Sequence, residues 1–514
     1  MELGNEGSAR VVPHGGFGAR GSATLLVVGL SWLAPQTRPA EPFVPIGVWY
    51  DGTDDLRTIR SLGFNSITAS VAWPAAEPQR GTYQLDTLER SLSAADVHGV
   101  KVIVQVETES PPPWLVRSRG GYCFGRADDR ADLSAFVNAV TVLAARHQSF
   151  HAIDVGSGPA PHTQRCPAGS SVGAVVPEQL KLLVEATTAR RQKPVTSHAR
   201  PRLATADVAS DTDAWWRNDL VDHNATAMHP KPSQGVGWPP ARLGAALDLV
   251  RSASREKGWT LAELQAGPGG GGVTPQDVRV WSWMALSRGA RAISYYAWNP
   301  RDRGNAMLGS DGTITGRARA AADFAAVVTS NPALFQPLRP RRATVAILSA
   351  LPSSDSNYYR RLFERNIQAD FIHLDDVISG QISRYAVVVA ESRGKLDAPI
   401  AAALGLYEKA GGRVVTTAAA LDDLSPDVRI DGGAGLVETR FLESADALLL
   451  IAINYADTPQ RVTMTFTPEV PEAIWQNMET GASVNFVAGA SGPAYTYAFA
   501  PRYVVVLLIR KKYR

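Results

Sequence analysis

The feature that most constrains the fold is a repeated alternation of short apolar runs with helical patterns between residues 43 and 331. Eight strands that alternate with helices are typical of a (β/α)8 barrel. The competing open, doubly wound sheet normally carries a glycine fingerprint after its first strand. Here the first strand runs instead into Trp49-Tyr50-Asp51-Gly52. The sequence therefore predicts an α/β fold that begins with a TIM barrel. The predicted strands are Ile46–Tyr50, Ser66–Val71, Val102–Val106, Ala152–Val155, Lys193–Ser197, Asn224–Met228, Thr260–Glu263 and Ala292–Trp298.

Two further patterns follow the barrel. Residues 340–430 contain buried-strand runs separated by two helical stretches, which indicates a small flavodoxin-like α/β domain without a catalytic constellation. Residues 433–514 lose the helices and alternate apolar with polar positions, which predicts a C-terminal β-sandwich. We therefore expect four parts: a signal-like or disordered segment 1–42, the barrel 43–335, the α/β domain 340–430 and the sandwich 433–514.

Charge, cysteine content and one apolar stretch limit the partners and the cellular location that we expect for the protein. The net charge is +3, and the sequence has no concentrated block of Lys and Arg. We therefore expect no nucleic-acid partner. The apolar stretch 22–34 is too short to span a membrane and fits a signal peptide, so we expect a secreted or periplasmic protein, with the cytoplasm as the alternative. Cys123 and Cys166 either form one disulfide, if the protein is exported, or remain buried thiols.

Barrel enzymes carry their chemistry at the carboxyl ends of strands, and those positions hold carboxylates and aromatic residues here. Glu263 ends the seventh predicted strand and is the predicted catalytic residue. This combination suits a sugar, because a carboxylate can act on the anomeric carbon while an aromatic ring packs on the C–H face. Without clustered cations or metal-ligand pairs, neither a cofactor nor a metal is expected. The predicted substrate-binding residues are Trp49, Trp73, Glu107, Ser157, His229 and Trp298.

Each of these residues also has a structural interpretation. Trp73 and Trp298 fit core packing equally well. His229 is compatible with a hydrogen-bonded structural histidine, and a glutamate at a strand end is compatible with a surface charge or an ion pair. The order of the segments along the chain favours the functional interpretation.

Several segments together resemble one family. They are Trp73, Glu77-Pro78, Gly81-Thr82-Tyr83, Pro111–Leu115, Glu263–Gly267 and Tyr295–Trp298. In this order they resemble glycoside hydrolase family 42, a family of β-galactosidases, over about residues 43–420. The resemblance implies a retaining glycosidase for β-galactosides or related sugars, with Glu263 as the nucleophile. It also implies that the middle domain is similar to the family's trimerisation domain, so that the protein forms a homo-oligomer, with a trimer as the family's arrangement.

The chain departs from the family pattern after the fourth strand. The family has its acid/base glutamate there in a Ser-Glu-Pro or Asn-Glu context, whereas this chain reads Ser157-Gly158-Pro159, and no glutamate occurs between Glu109 and Glu178. A missing proton donor typically forfeits about 10²–10⁴-fold of rate. The sequence thus predicts either a weak glycosidase, an enzyme that recruits another acid, or a non-catalytic carbohydrate-binding or scaffold protein. The best substitute acids are Glu107 and Glu109 on the neighbouring third strand, with His162 as a weaker candidate.

Overall fold

The computed structural model describes most of the chain from residue 41 onward, and all elements below belong to the compact unit formed by residues 42–514. The described residues are 41–52, 56–156, 175–188, 195–199, 213–231, 237–269, 271–299, 303–348, 356–390, 396–433, 435–467, 475–487 and 492–511.

Eight parallel strands follow one another around a closed barrel, and the eighth pairs back with the first. The predicted TIM barrel is therefore confirmed. Its strands are β1 (Ile46–Tyr50), β2 (Ser66–Ala72), β3 (Lys101–Glu107), β4 (Phe150–Asp154), β5 (Val195–Ala199), β6 (His223–Met228), β7 (Trp259–Gln265) and β8 (Ala290–Tyr296).

Helices connect the barrel strands, and several begin with proline, whose missing N–H is not needed in the first helical turn. Helix α9 has the strongest start: Pro275 follows Thr274, which forms a reciprocal capping box with Asp277. The helices are α1 (Leu56–Ser61), α2 (Trp73–Ala76), α3 (Asp86–His98), α4 (Pro113–Arg119), α5 (Ala127–Ala144), α6 (Val175–Thr188), α7 (Asp213–Leu220), α8 (Pro240–Ser254), α9 (Pro275–Ser287), α10 (Gly316–Thr329) and α11 (Pro332–Phe335).

The chain then forms a four-stranded parallel sheet in the order β11-β10-β12-β13, which agrees with the predicted flavodoxin-like pattern. A two-residue strand precedes this sheet and pairs with the C-terminal domain instead. The elements are β9 (Arg339–Pro340), β10 (Val345–Leu348), α12 (Asn357–Glu364), β11 (Ala369–Ile372), α13 (Leu374–Ile378), β12 (Val387–Val389), α14 (Ala398–Lys409) and β13 (Arg413–Val415).

Two antiparallel sheets form the C-terminal sandwich, one ordered β19-β18-β21-β16-β15-β9 and the other β14-β17-β20. Strands β16 and β21 carry almost continuous apolar sequence and are buried along nearly their whole length. The strands are β14 (Val428–Asp431), β15 (Val437–Glu443), β16 (Ala447–Asn454), β17 (Gln460–Phe466), β18 (Trp475–Asn477), β19 (Ser483–Val484), β20 (Ala494–Phe499) and β21 (Val504–Arg510).

A buried ionic network joins the barrel to the two smaller sheets. Asp248 of α8 accepts hydrogen bonds from Arg288 (3.3 Å), from Arg440 of β15 (2.9 Å) and from the hydroxyl of Tyr359 of α12 (2.5 Å). Both arginines also donate to Glu438 of β15, at 2.6 and 2.8 Å. Each of these charges is almost fully buried. Such groups tolerate burial only when they are paired, so the network fixes the relative placement of the elements that carry it.

Cys123 is disulfide-bonded. The sequence has one other cysteine, Cys166, which lies outside the described residues. Of the two states expected for the cysteines, the structure therefore has the disulfide at Cys123.

Candidate active site

Glu263 lies two residues before the carboxyl end of β7, and only 5% of the residue is exposed. The strand is irregular just before this position. Leu261 pairs with Ile293 of β8. The next pair joins Leu264 to Tyr295, so β7 advances three residues while β8 advances two. One extra residue in a strand is the mark of a β-bulge, and bulges commonly redirect a side chain beside an active site.

His229 lies within hydrogen-bond distance of this carboxylate. It is the first residue after β6, and its Nε2 lies 3.3 Å from Glu263 Oε2. The loop that carries His229 is attached to the end of β7 through Gln265. The backbone N–H of Lys231 donates to Gln265 Oε1 at 2.9 Å, and Gln265 Nε2 donates to the carbonyl of Lys231 at 2.7 Å. These two bonds hold the imidazole and the carboxylate in a fixed relation.

Two aromatic rings complete the group. Tyr296, the last residue of β8, packs edge-to-face on His229 with 5.6 Å between ring centroids and on Trp49 with 5.1 Å. The Trp49 indole N–H donates to the carbonyl of Ala262 at 2.7 Å. We call Trp49, His229, Glu263 and Tyr296 the rim cluster. Its members lie at the carboxyl ends of four strands that are consecutive around the barrel, where a carboxylate and aromatic rings can meet one ligand.

The structure buries the other two predicted tryptophans. Trp73 is fully buried, stacks on Phe136 with 5.8 Å between centroids and donates its indole N–H to Glu77 at 2.6 Å. Trp298 is 2% exposed and packs edge-to-face on Phe64. Both rings therefore lie in the packed core.

The Trp-Glu-Pro segment thus forms a structural unit around a buried carboxylate. Glu77 accepts the backbone N–H of Gly81 at 2.7 Å in addition to the Trp73 indole. Burial raises the pKa of the Glu77 carboxyl above its ordinary value, although both hydrogen bonds act in the opposite direction. Burial also raises the pKa of nearby Tyr83 to about 12. The residues that make this segment recognisable hold the turn after β2.

Tyr296 is the rim aromatic that the sequence analysis did not select. The signal for it was the alternation of side chains along a strand. Tyr295 points to the helical layer, where its hydroxyl lies 2.7 Å from Ser282 of α9. The next residue, Tyr296, must therefore face the barrel axis.

The remaining predicted residues have different outcomes. Glu107 is the last residue of β3, pairs in register with Ala72 and is half-buried. Ser157, Gly158 and His162 lie outside the described residues.

In the part of the chain that is described, no three His, Cys, Asp or Glu side chains are grouped to hold a metal ion. No helix described here is long and apolar enough to cross a membrane.

The fold is a closed (β/α)8 barrel, and its rim carries a carboxylate beside aromatic rings. The sequence model of glycoside hydrolase family 42, described as Beta-galactosidase, matches residues 49–134. Beta-galactosidase BgaA of Thermus sp is 24% identical over 338 residues, which cover 48% of this chain and 52% of that protein. The β-galactosidase of Thermus thermophilus matches to the same extent. The chain therefore spans about half the length of these curated relatives.

Solved structures share the fold. A catalytic mutant of Gan42B, a family 42 β-galactosidase from G. stearothermophilus, superposes with a TM-score of 0.71 at 13% identity, over 92% of this chain and 99% of that chain. The β-galactosidase from Bacillus circulans sp. alkalophilus gives 0.68 at 13% identity, over 91% and 99%. This chain is a relative of the glycoside hydrolase family 42 β-galactosidases.

Proposed function

We propose that the protein hydrolyses β-galactosides or related β-linked sugars with retention of configuration, and that Glu263 is the nucleophile. The observation that carries the proposal is the rim cluster: the Glu263 carboxylate lies at the carboxyl end of β7, 3.3 Å from His229 and beside the Tyr296–Trp49 aromatic pair. The kinship with the β-galactosidases supports the choice of sugar.

In this mechanism a Glu263 oxygen forms a bond to the anomeric carbon while the bond from that carbon to the leaving oxygen breaks. The result is a glycosyl ester on Glu263, which water then hydrolyses. His229 lies within hydrogen-bond distance of the same carboxylate, so it holds the attacking group in one orientation. The aromatic rings provide an apolar surface for the sugar's C–H face.

A covalent label tests the nucleophile without requiring an acid. A dinitrophenyl 2-fluoro-β-galactoside has a leaving group that needs little protonation, and its fluorine slows hydrolysis of the ester. We expect mass spectrometry to find the fluorogalactosyl group on the peptide that contains Glu263, and to find no label in Glu263→Gln. A label on a different residue would contradict the assignment.

The second candidate is a non-catalytic carbohydrate-binding or scaffold protein, and the glycine at position 158 favours it. Such a protein needs the aromatic rings but no second carboxylate. Measurable galactoside binding in calorimetry, together with no label and no hydrolysis of any activated glycoside, would assign the chain to this class.

Self-association through the middle domain belongs to the same proposal. Ile378 of α13 and Leu406 of α14 line one groove and are 57% and 66% exposed. Large exposed apolar side chains in one place commonly mark an interface. We expect light scattering at micromolar concentration to show an oligomer, a trimer by resemblance, and Leu406→Asp to lower the mass. The control Val97→Asp changes an apolar residue of barrel helix α3 that is 81% exposed, and it should leave the mass unchanged.

Export is supported by the disulfide at Cys123, because such bonds persist in oxidising compartments and are rare in the cytoplasm. Cell fractionation should recover the protein in the periplasm or the medium, and thiol titration of the denatured protein should find no free thiol. Recovery in the cytoplasm with free thiols would contradict export.

A further inference from the structure

The carboxylate of Glu109 lies over the end of β4. Gly156 is the second residue after that strand, and a Cβ atom built on it would be only 3.2 Å from Glu109 Oε1. Gly156 also has a φ of +60°, a backbone conformation that favours glycine. Because glycine has no side chain, position 156 leaves room beside it for the Glu109 carboxylate.

The backbone segments on both sides of Glu109 are constrained. Strands β3 and β4 are neighbours, with Gln105 in register with Asp154. Asp154 Oδ1 accepts the backbone N–H of Gly156 at 2.9 Å and so fixes the turn that leaves β4. On the other side, Glu109 follows the fully buried Thr108 and precedes the rigid Pro111–Pro113 segment. The half-buried Glu109 therefore lies between two constrained backbone segments, next to the turn that leaves β4.

We infer that Glu109 supplies the acid/base carboxylate at the end of β4 for which the sequence offers no glutamate in the usual place. The inference rests on the proposed function, because it requires Glu263 to act as the nucleophile. Glu107 is a weaker choice, since it ends β3 itself, in register with Ala72 of β2. Of these two glutamates, Glu109 is the one that the structure places against the fourth strand's exit.

The two carboxylates then divide the reaction in the ordinary way. In the first step protonated Glu109 gives its proton to the glycosidic oxygen as that oxygen leaves the anomeric carbon. At the same time a Glu263 oxygen forms a bond to the anomeric carbon. In the second step Glu109, now a carboxylate, takes a proton from water. The water oxygen bonds to the anomeric carbon, the ester bond to Glu263 breaks, and Glu109 is again protonated.

The test compares wild type, Glu109→Gln and the control Glu178→Gln, which changes an exposed glutamate in the first turn of α6. Each is assayed with lactose, whose leaving group needs a proton, and with dinitrophenyl β-galactoside, whose leaving group does not. We expect Glu109→Gln to lose about 10²–10⁴-fold in kcat/KM for lactose and to lose far less for the aryl substrate. We also expect azide, a nucleophile that needs no base, to accelerate Glu109→Gln on the aryl substrate and to yield β-galactosyl azide.

Several results would overturn the inference while leaving Glu263 as the nucleophile, provided that Glu263 is labelled by the fluorosugar. One is Glu109→Gln with wild-type activity on lactose. Another is an equal loss on both substrates without any response to azide, which is what a purely structural defect produces. A wild-type protein that takes the label on Glu263 but does not cleave lactose would also contradict it. Failure of labelling in the wild type would instead remove the proposed function itself.

Discussion

Glu263→Gln should lower kcat/KM for nitrophenyl β-galactoside by roughly 10⁴-fold or more, the scale of loss when a covalent nucleophile is removed. Glutamine has nearly the shape of glutamate and can still accept a hydrogen bond from His229, but its amide oxygen does not form the glycosyl ester. The fold should survive, because the replaced group is a single carboxylate at the rim. Initial rates over a range of substrate concentration, together with circular dichroism, measure both expectations.

Glu256→Gln is the matched control. Glu256 is an exposed glutamate three residues before β7 begins, at the opposite end of the strand that carries Glu263. Catalysis in barrels of this kind takes place at the carboxyl face, so the control should retain wild-type activity. Activity of Glu263→Gln within about tenfold of wild type would show that this carboxylate is not the nucleophile, since covalent catalysis by a carboxylate depends on its ionised group.

The barrel could be predicted from the sequence because each strand is short, apolar and followed by a helix of its own. Local patterning is enough for that alternation. The edge strand β9 could not be predicted in the same way. It has two residues, Arg339 and Pro340, and it is a strand only because Leu442 and Glu443 pair with it about a hundred positions later. No local window contains that partner.

The sequence predicts which residues lie at the ends of the barrel strands. It does not predict the direction in which their side chains point. Glu263 was selected because the end of a barrel strand is a defined place, and its role as the nucleophile stays a prediction. The choice of Trp298 as the neighbouring aromatic followed the same rule, yet the ring packs on Phe64 and Tyr296 lies in the rim cluster. The extra residue in β7 and the connection after β8 depend on tertiary pairing, which changes the face that a given position presents.

The buried network was outside the reach of sequence patterns for a related reason. Asp248, Arg288 and Glu438 are separated by 40 and 150 positions, and each alone is an ordinary surface residue type. Their meeting depends on the packing of the barrel helices against the C-terminal sheet. Gly244 shows how close that packing is, because a Cβ there would lie 2.8 Å from Arg288 Nη2 and 2.9 Å from the Tyr359 hydroxyl.

Asp248→Asn should destabilise the protein by about 3–5 kcal/mol, the range found when one partner is removed from a buried ion pair. The substitution preserves shape but leaves Arg288 and Arg440 buried with one negative charge fewer. Urea unfolding at neutral pH, followed by fluorescence, should show the loss as a lower midpoint. The control is Asp422→Asn, which breaks an exposed pair with Arg361 and should cost no more than about 1 kcal/mol.

The effect should also depend on pH in one direction. Burial by itself would raise the pKa of Asp248, but the charges of Arg440, Arg288 and Arg251 hold it below its ordinary value. A carboxyl whose pKa is lowered by folding stabilises the protein above its unfolded pKa of about 4, and that contribution is lost as the pH falls through the folded value. The gap in stability between wild type and Asp248→Asn should therefore be full at pH 7 and should narrow progressively below about pH 4. A gap that stays constant from pH 7 to pH 2 would show that the loss comes from packing rather than from the charge of Asp248.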